Sequence, residues 1–127
     1  MPENATSPIE PNGLLNCDIQ EKESCTLLRF EGRWTEYGAS RALLETVKQH
    51  LAGEQRCFVA DFSGIQYLNS TGIGEIIKLV RTVNSSRGNI IFVKVPAKVK
   101  ELLSIIRLNS MLSICDSEEE AMQYIPN

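Results

Sequence analysis

The sequence predicts an α/β domain of order ββαβαβαβα, with a mostly parallel sheet, an antiparallel hairpin at its N-terminal end, and helices packed on the sheet. Three observations carry this. Cys57-Phe58-Val59-Ala60 and Ile90-Ile91-Phe92-Val93 are apolar at consecutive positions, as strands covered on both faces are. Between and after them, apolar residues recur at helical spacing. Before them, two short apolar runs flank a charged cluster, the pattern of a hairpin. Strands alternating with helices imply parallel pairing through crossovers.

Taken in order, Leu14 to Gln20 and Thr26 to Glu31 are the hairpin strands, split by Glu21, Lys22 and Glu23, and Gly32 ends the second. Ala39, Leu43, Leu44, Val47 and Leu51 predict a first helix from Tyr37 to Leu51, with Gly53 placed for a left-handed C-cap. The strand that begins at Cys57 ends in Asp61. In the second helix Ile73, Ile76, Ile77 and Val80 form the buried face, and Glu75, Lys78 and Arg81 the solvated one. Gly88-Asn89 turns the chain back into a strand. Pro96 fits the first position of a third helix, whose stripe is Val99, Leu102, Leu103 and Ile106. Leu112 to Cys115 is a short last strand. Ser117 and Glu120 form a capping box that opens a final helix through Ala121, Met122 and Ile125.

The chain has 127 residues, 43% hydrophobic and 23% charged, which suits one domain over 13–127. Met1 to Asn12, with Pro2, Pro8 and Pro11, reads as a flexible tail with neither a signal peptide nor a membrane anchor. A formal charge of −3 lacks the basic footprint of a nucleic-acid binder or a polybasic membrane segment, so proteins or small molecules are the expected partners. Cys17, Cys25, Cys57 and Cys115 show no Cys-x-x-Cys spacing and read as buried, reduced thiols of a cytoplasmic protein.

Ligands of open α/β sheets meet strand ends and helix starts, which singles out Asp61 to Gly74. Ser70 stands where the second helix begins, so its hydroxyl can cap a backbone N–H, and the helix dipole favours negative charge there. Gly72 and Gly74 clear side chains from the first turn, either for a partner's close approach or for tight packing on the sheet. Enzyme fingerprints fail here: a dinucleotide loop needs glycine where Ile77 stands, a phosphate loop needs an absent Gly-Lys-Ser/Thr, and a nucleophile elbow needs glycine at Leu68. His50, the single histidine, reads as a solvated residue of the first helix's last turn rather than a base, and Glu118 to Glu120 as dipole compensation rather than a metal site.

Asp61-Phe62-Ser63-Gly64-Ile65, Asn69-Ser70-Thr71-Gly72-Ile73-Gly74, Gly88-Asn89 before a strand, and Pro96-Ala97-Lys98-Val99 opening a helix resemble the STAS-domain anti-sigma factor antagonists, from about Leu14 to Ile125. The resemblance implies a STAS-type fold and a binding protein with no catalytic residue, metal or cofactor of its own. It implies phosphorylation of Ser70, or less favourably Thr71, by an anti-sigma factor serine kinase that brings ATP and magnesium, with a metal-dependent serine phosphatase reversing it. The unmodified form would bind the kinase and release a sigma factor, the chain being a monomer or weak dimer. Asn69, Ser70, Thr71, Gly72, Ile73 and Gly74, with Asp61 and Ser63, would carry the contact.

Two positions depart from the family pattern. Asn69 stands where an aspartate is usual, so the charge that could orient a kinase's metal is missing. This motivates an alternative, a non-switching scaffold subunit of a stressosome-like or lipid-transport complex. The loop after the second strand carries Gly32-Arg33-Trp34-Thr35-Glu36-Tyr37 in place of an acidic residue. If the family topology holds, it lies beside Ser70, where Arg33 and Trp34 are either partner contacts or, for Trp34, a lid on the end of the core.

Overall fold

The computed structural model describes residues 15–36, 38–53 and 55–124. The predicted tail lies outside them. Among the described residues the chain runs β1(Asn16–Glu21), β2(Thr26–Trp34), α1(Arg41–Ala52), β3(Cys57–Leu68), α2(Ser70–Ser85), β4(Asn89–Val93), α3(Ala97–Ile105), β5(Ser113–Cys115), α4(Glu118–Met122). The five strands form one sheet in sequence order, β1 antiparallel to β2 and the remaining pairs parallel. The predicted order of elements is therefore the observed one.

Strand lengths differ from those the sequence suggests. Gly32 does not end β2. It takes φ 102° within a register shift, and the strand continues to Trp34. β3 likewise passes Asp61 and runs to Leu68, because the far half of β2 offers it a partner: Glu31 pairs with Gly64, Gly32 with Ile65 and Trp34 with Leu68. Both strands thus reach well beyond β4, whose last pairing with β3 is Val93 to Asp61.

Leu28 and Phe30 of β2, Phe58 and Phe62 of β3, and Ile90 and Phe92 of β4 share one core with Val47 of α1, Ile76 and Leu79 of α2, and Val99 and Leu103 of α3. The other face is thinner: Leu27, Val59, Ile91 and Val93 are covered by Ala121 of α4. Four aromatic rings cross the larger core. Trp34 stacks on Phe30 at 5.2 Å, and edge-to-face contacts at 5.1 Å run from Phe30 to Phe62 and on to Phe92. Each such pair is worth about 0.5–1.5 kcal/mol beyond the area it buries.

Helix ends need several corrections. α1 begins at Arg41 after a turn through Gly38, and Gly53 has φ −89°, so it is no left-handed cap. Pro96 is the N-cap of α3 rather than its first residue. At α4 the serine half of the predicted box forms, the Ser117 hydroxyl accepting from Glu120 N–H at 3.1 Å, but the Glu120 carboxylate accepts from Asp116 N–H at 2.9 Å, one residue before the N-cap. The buried face of α2 is Gly72, Glu75, Ile76, Leu79, Val80 and Val83, rotated from the predicted one, so Ile73 and Ile77 are only half-buried.

Cys57 and Cys115 are partly exposed, unlike the buried Cys17 and Cys25. Burial pushes all four thiols up, which makes them poor nucleophiles. His50 is not solvated: its side chain is 14% exposed, with Nε2 2.6 Å from a Glu21 carboxylate oxygen and Nδ1 2.8 Å from the Thr46 carbonyl. It stands between α1 and the hairpin.

Candidate functional site

The long β3 delivers the chain to α2 beside the end of β2. There Asn69, not Ser70, is the N-cap, because its Oδ1 lies 3.0 Å from the Gly72 N–H it accepts from. Its amide nitrogen donates to the Thr35 carbonyl at 3.3 Å, and its backbone N–H donates to the Trp34 carbonyl at 3.5 Å. An aspartate could make the first of these bonds but not the second. Asparagine here exchanges a negative charge for a tether to the β2–α1 segment. Ser70, freed from capping, is the exposed first residue of the helix, and Thr71 behind it is half-buried.

The two glycines have separate reasons. A Cβ on Gly72 would lie 2.2 Å from the Trp34 carbonyl oxygen and 2.6 Å from Leu68 Cδ1, so this residue is glycine to let α2 seat on the end of β2. A Cβ on Gly74 would meet nothing within 4 Å. Gly74 opens a shallow groove of about 430 Å³ that continues along α2 past Ile77, Lys78, Arg81, Thr82 and Ser85. Packing explains the first glycine and open surface the second.

Beneath this surface lies a group the sequence places wrongly. Glu75 is 8% exposed and faces inward. Its Oε1 accepts from Trp34 Nε1–H at 2.8 Å, the Ser40 hydroxyl at 2.9 Å and Ser40 N–H at 3.3 Å, and its Oε2 accepts from Gly38 N–H at 2.6 Å. Trp34 is fully buried. It supports the loop from inside and offers no contact surface, which removes it from the residues a partner can touch. The signal for Glu75 was present in the sequence as its spacing, three residues after Gly72 and four before Leu79, on the same helical stripe.

Of the remaining site candidates, Arg33 is exposed and pairs in register with Tyr67, which is 54% exposed. Asp61 and Ser63 are not brought to Ser70. The residues between Ser63 and Ser70, 64–69, are mostly extended strand, a separation of roughly 20 Å. Asp61 faces the α4 side of the sheet, in register with Arg29 and Val93, and is buried. Its carboxylate accepts from Ser63 N–H at 2.8 Å and lies 3.4 Å from Arg29, which also reaches Glu118 at 3.3 Å. The direct-contact role therefore fails for buried Asp61, while Ser63 is exposed elsewhere on the domain.

Burial pushes the Asp61 carboxyl up, but hydrogen bonds from Ser63, with Lys94 and Arg29 nearby, outweigh it and hold the group below the usual carboxylate value. A lowered folded-state value means stabilisation that is complete above about pH 4 and fades as pH falls through that value. Asp61→Asn should therefore cost about 1–2 kcal/mol at pH 7. In urea titrations the gap between wild type and variant should narrow at about pH 3. A gap independent of pH would contradict this account.

Among the described residues, no group of three or more His, Cys, Asp or Glu side chains is placed to hold a metal ion, and no helix is long and apolar enough to cross a membrane. A family model for the STAS domain matches residues 16–121. No curated protein matches the chain in sequence. Among solved structures, the Thermotoga maritima protein TM1081, assigned as an anti-sigma factor antagonist, superposes with a TM-score of 0.72 at 19% identity, covering 86% of this chain and 93% of that one. The anti-sigma factor antagonist SpoIIAA in its unphosphorylated form gives 0.68 at 16% identity, over 87% of this chain and 99% of that one. SpoIIAA, described as a Bacillus cell fate determinant, is also similar in its phosphorylated form, at 0.64 and 14% identity over 85% of this chain and 97% of that one.

Proposed function

The chain belongs to the STAS domain family, and from that premise we propose that it is an anti-sigma factor antagonist: a non-catalytic protein that binds an anti-sigma factor serine kinase and is switched by phosphorylation at Ser70. The observation that carries the reading is Ser70 itself, an exposed hydroxyl at the first position of α2 whose capping duty is taken by Asn69.

In the transfer, Ser70 Oγ would attack the γ-phosphorus of the kinase's magnesium-bound ATP. ADP leaves, and the hydroxyl proton passes to the kinase. The product adds about −1.5 to −2 charge at a helix start, where the dipole and the N–H groups of the first turn stabilise it without unfolding the domain. A partner surface fitted to a neutral hydroxyl and the open position at Gly74 would then meet unpaired charge and added volume. A metal-dependent serine phosphatase would hydrolyse the ester and reset the switch.

Incubation with the kinase and MgATP, followed by mass spectrometry, should place phosphate on Ser70. Phosphate elsewhere, or none, would sink the switch. Ser70→Asp should weaken the kinase complex by about tenfold or more, whereas Ser70→Ala should bind as tightly as wild type and stay bound when ATP is present. Equal affinities in calorimetry would contradict the charge argument.

One observation favours the non-switching scaffold as a second reading. Both polar atoms of the Asn69 side chain are spent on tethers, and no carboxylate replaces the family's aspartate beside the acceptor. Asn69→Asp should raise the rate of Ser70 phosphorylation if that missing charge limits the transfer. No phosphate on either chain, together with a large stable oligomer in light scattering, would favour the scaffold over the monomer or weak dimer that the switch requires.

A further inference from the structure

Glu75 lies on the buried face of α2, where an apolar side chain would pack without any polar cost. Four donors converge on its carboxylate instead, none of them charged, and all come from the end of β2 or the segment leading into α1. Only an acceptor-only group satisfies four donors at once. Gly38 takes φ +84°, in the turn whose N–H meets Oε2 at 2.6 Å. Nearer the start of α2, at its N-cap, the Asn69 amide holds the Thr35 carbonyl. The β2–α1 segment is thus pinned to α2 at two levels, and Glu36 and Ala39 stand exposed between the pins.

We infer that Glu75 is a positioning residue: it presets the β2–α1 segment as the second half of the surface that the kinase reads together with Ser70, while touching no partner itself. This rests on the antagonist reading above. With the latch intact, the partner meets a loop already ordered, so no ordering entropy opposes binding at that moment. Without it, the indole N–H and two loop N–H groups lose their acceptor, and the loop samples other conformations.

Glu75→Gln tests this, since its amide nitrogen brings a donor to a cluster of donors. With the host's purified anti-sigma factor serine kinases and MgATP, KM for phosphorylation of Ser70 should rise by about tenfold while kcat stays within about twofold. Amide hydrogen exchange at Gly38 and Ser40 should accelerate by about tenfold or more, with strand β4 unchanged. Ser40→Ala, which removes one donor and leaves the carboxylate in place, should shift both readouts in the same direction by less, and it keeps the test open if Glu75→Gln fails to fold. Unchanged exchange at Gly38 and Ser40 would overturn the latch. Faster exchange with unchanged KM would overturn its role in recognition. No complex between the wild-type chain and any of these kinases would overturn the antagonist reading, and this role with it, a result distinct from either failure in the variants.

Discussion

Trp34→Ala is expected to destabilise the domain by about 4 kcal/mol, the larger end of what deleting a buried aromatic ring costs. The ring is fully buried, stacks on Phe30 at 5.2 Å and lies 6.2 Å from Phe62, so its removal opens a cavity at one end of the aromatic row. It also takes away the donor 2.8 Å from the Glu75 carboxylate, leaving a buried charge with one partner fewer. In urea titration, with a slope of about 2 kcal/mol per molar, the midpoint should fall by about 2 M at unchanged slope. Trp34→Phe separates the two contributions. It keeps most of the ring contact and loses the hydrogen bond, so it should cost only about 1–2 kcal/mol. If both variants lost the same amount, cavity formation would not be the main cause. If Trp34→Ala lost less than about 1 kcal/mol, the buried placement of the ring would be wrong.

Gly72→Ala should cost about 3 kcal/mol through overpacking, and with it partner binding. A methyl group here would stand 2.2 Å from the Trp34 carbonyl oxygen and 3.1 Å from Trp34 Cβ. The first of these is backbone, which cannot swing aside as the end of a side chain can. Relief requires the start of α2 to lift from β2, which would stretch the Asn69 bonds to Thr35 and Gly72 and shift Ser70 relative to the loop. For a domain of this size, a loss of 3 kcal/mol lowers the melting temperature by roughly 10–15 °C. Gly74→Ala is the internal control. Its methyl group meets nothing within 4 Å, and alanine favours the helix, so the domain should become slightly more stable, by about 0.5–1 kcal/mol. Any loss of kinase binding by that variant would then report the partner's approach, not the fold. A Gly72→Ala protein that melts with the wild type would refute the close packing of α2 on β2.

The order of elements was legible because each short run advertised its own period. The apolar strands at Val59 and Ile91, the helical spacing from Leu43 to Leu51, and the capping box at Ser117 are local signals, and local physics is enough to read them. The misjudged strand ends share one cause. Ser63, Gly64 and Gln66 look like loop residues, yet β3 continues through them because the bulged end of β2 supplies backbone partners. No residue in that stretch announces the pairing. Ser70 at the start of α2 was visible from the sequence, but the atom that caps the helix was not, since serine and asparagine both suit a helix start.

The sequence by itself determined an α/β chain of this element order, with a serine at the head of the second helix. Periodicity, capping and turn chemistry act over a few residues and are written in neighbours. Only the tertiary structure decided that Trp34 lies inside, that Glu75 faces it, and that Gly72 must be bare while Gly74 need not be. Those outcomes depend on how closely β2 and α2 approach, a distance set by packing between segments some forty residues apart. Strand pairing, not sequence distance, took Asp61 and Ser63 away from Ser70: they lie within ten residues of it, but the extended β3 spends those residues on length.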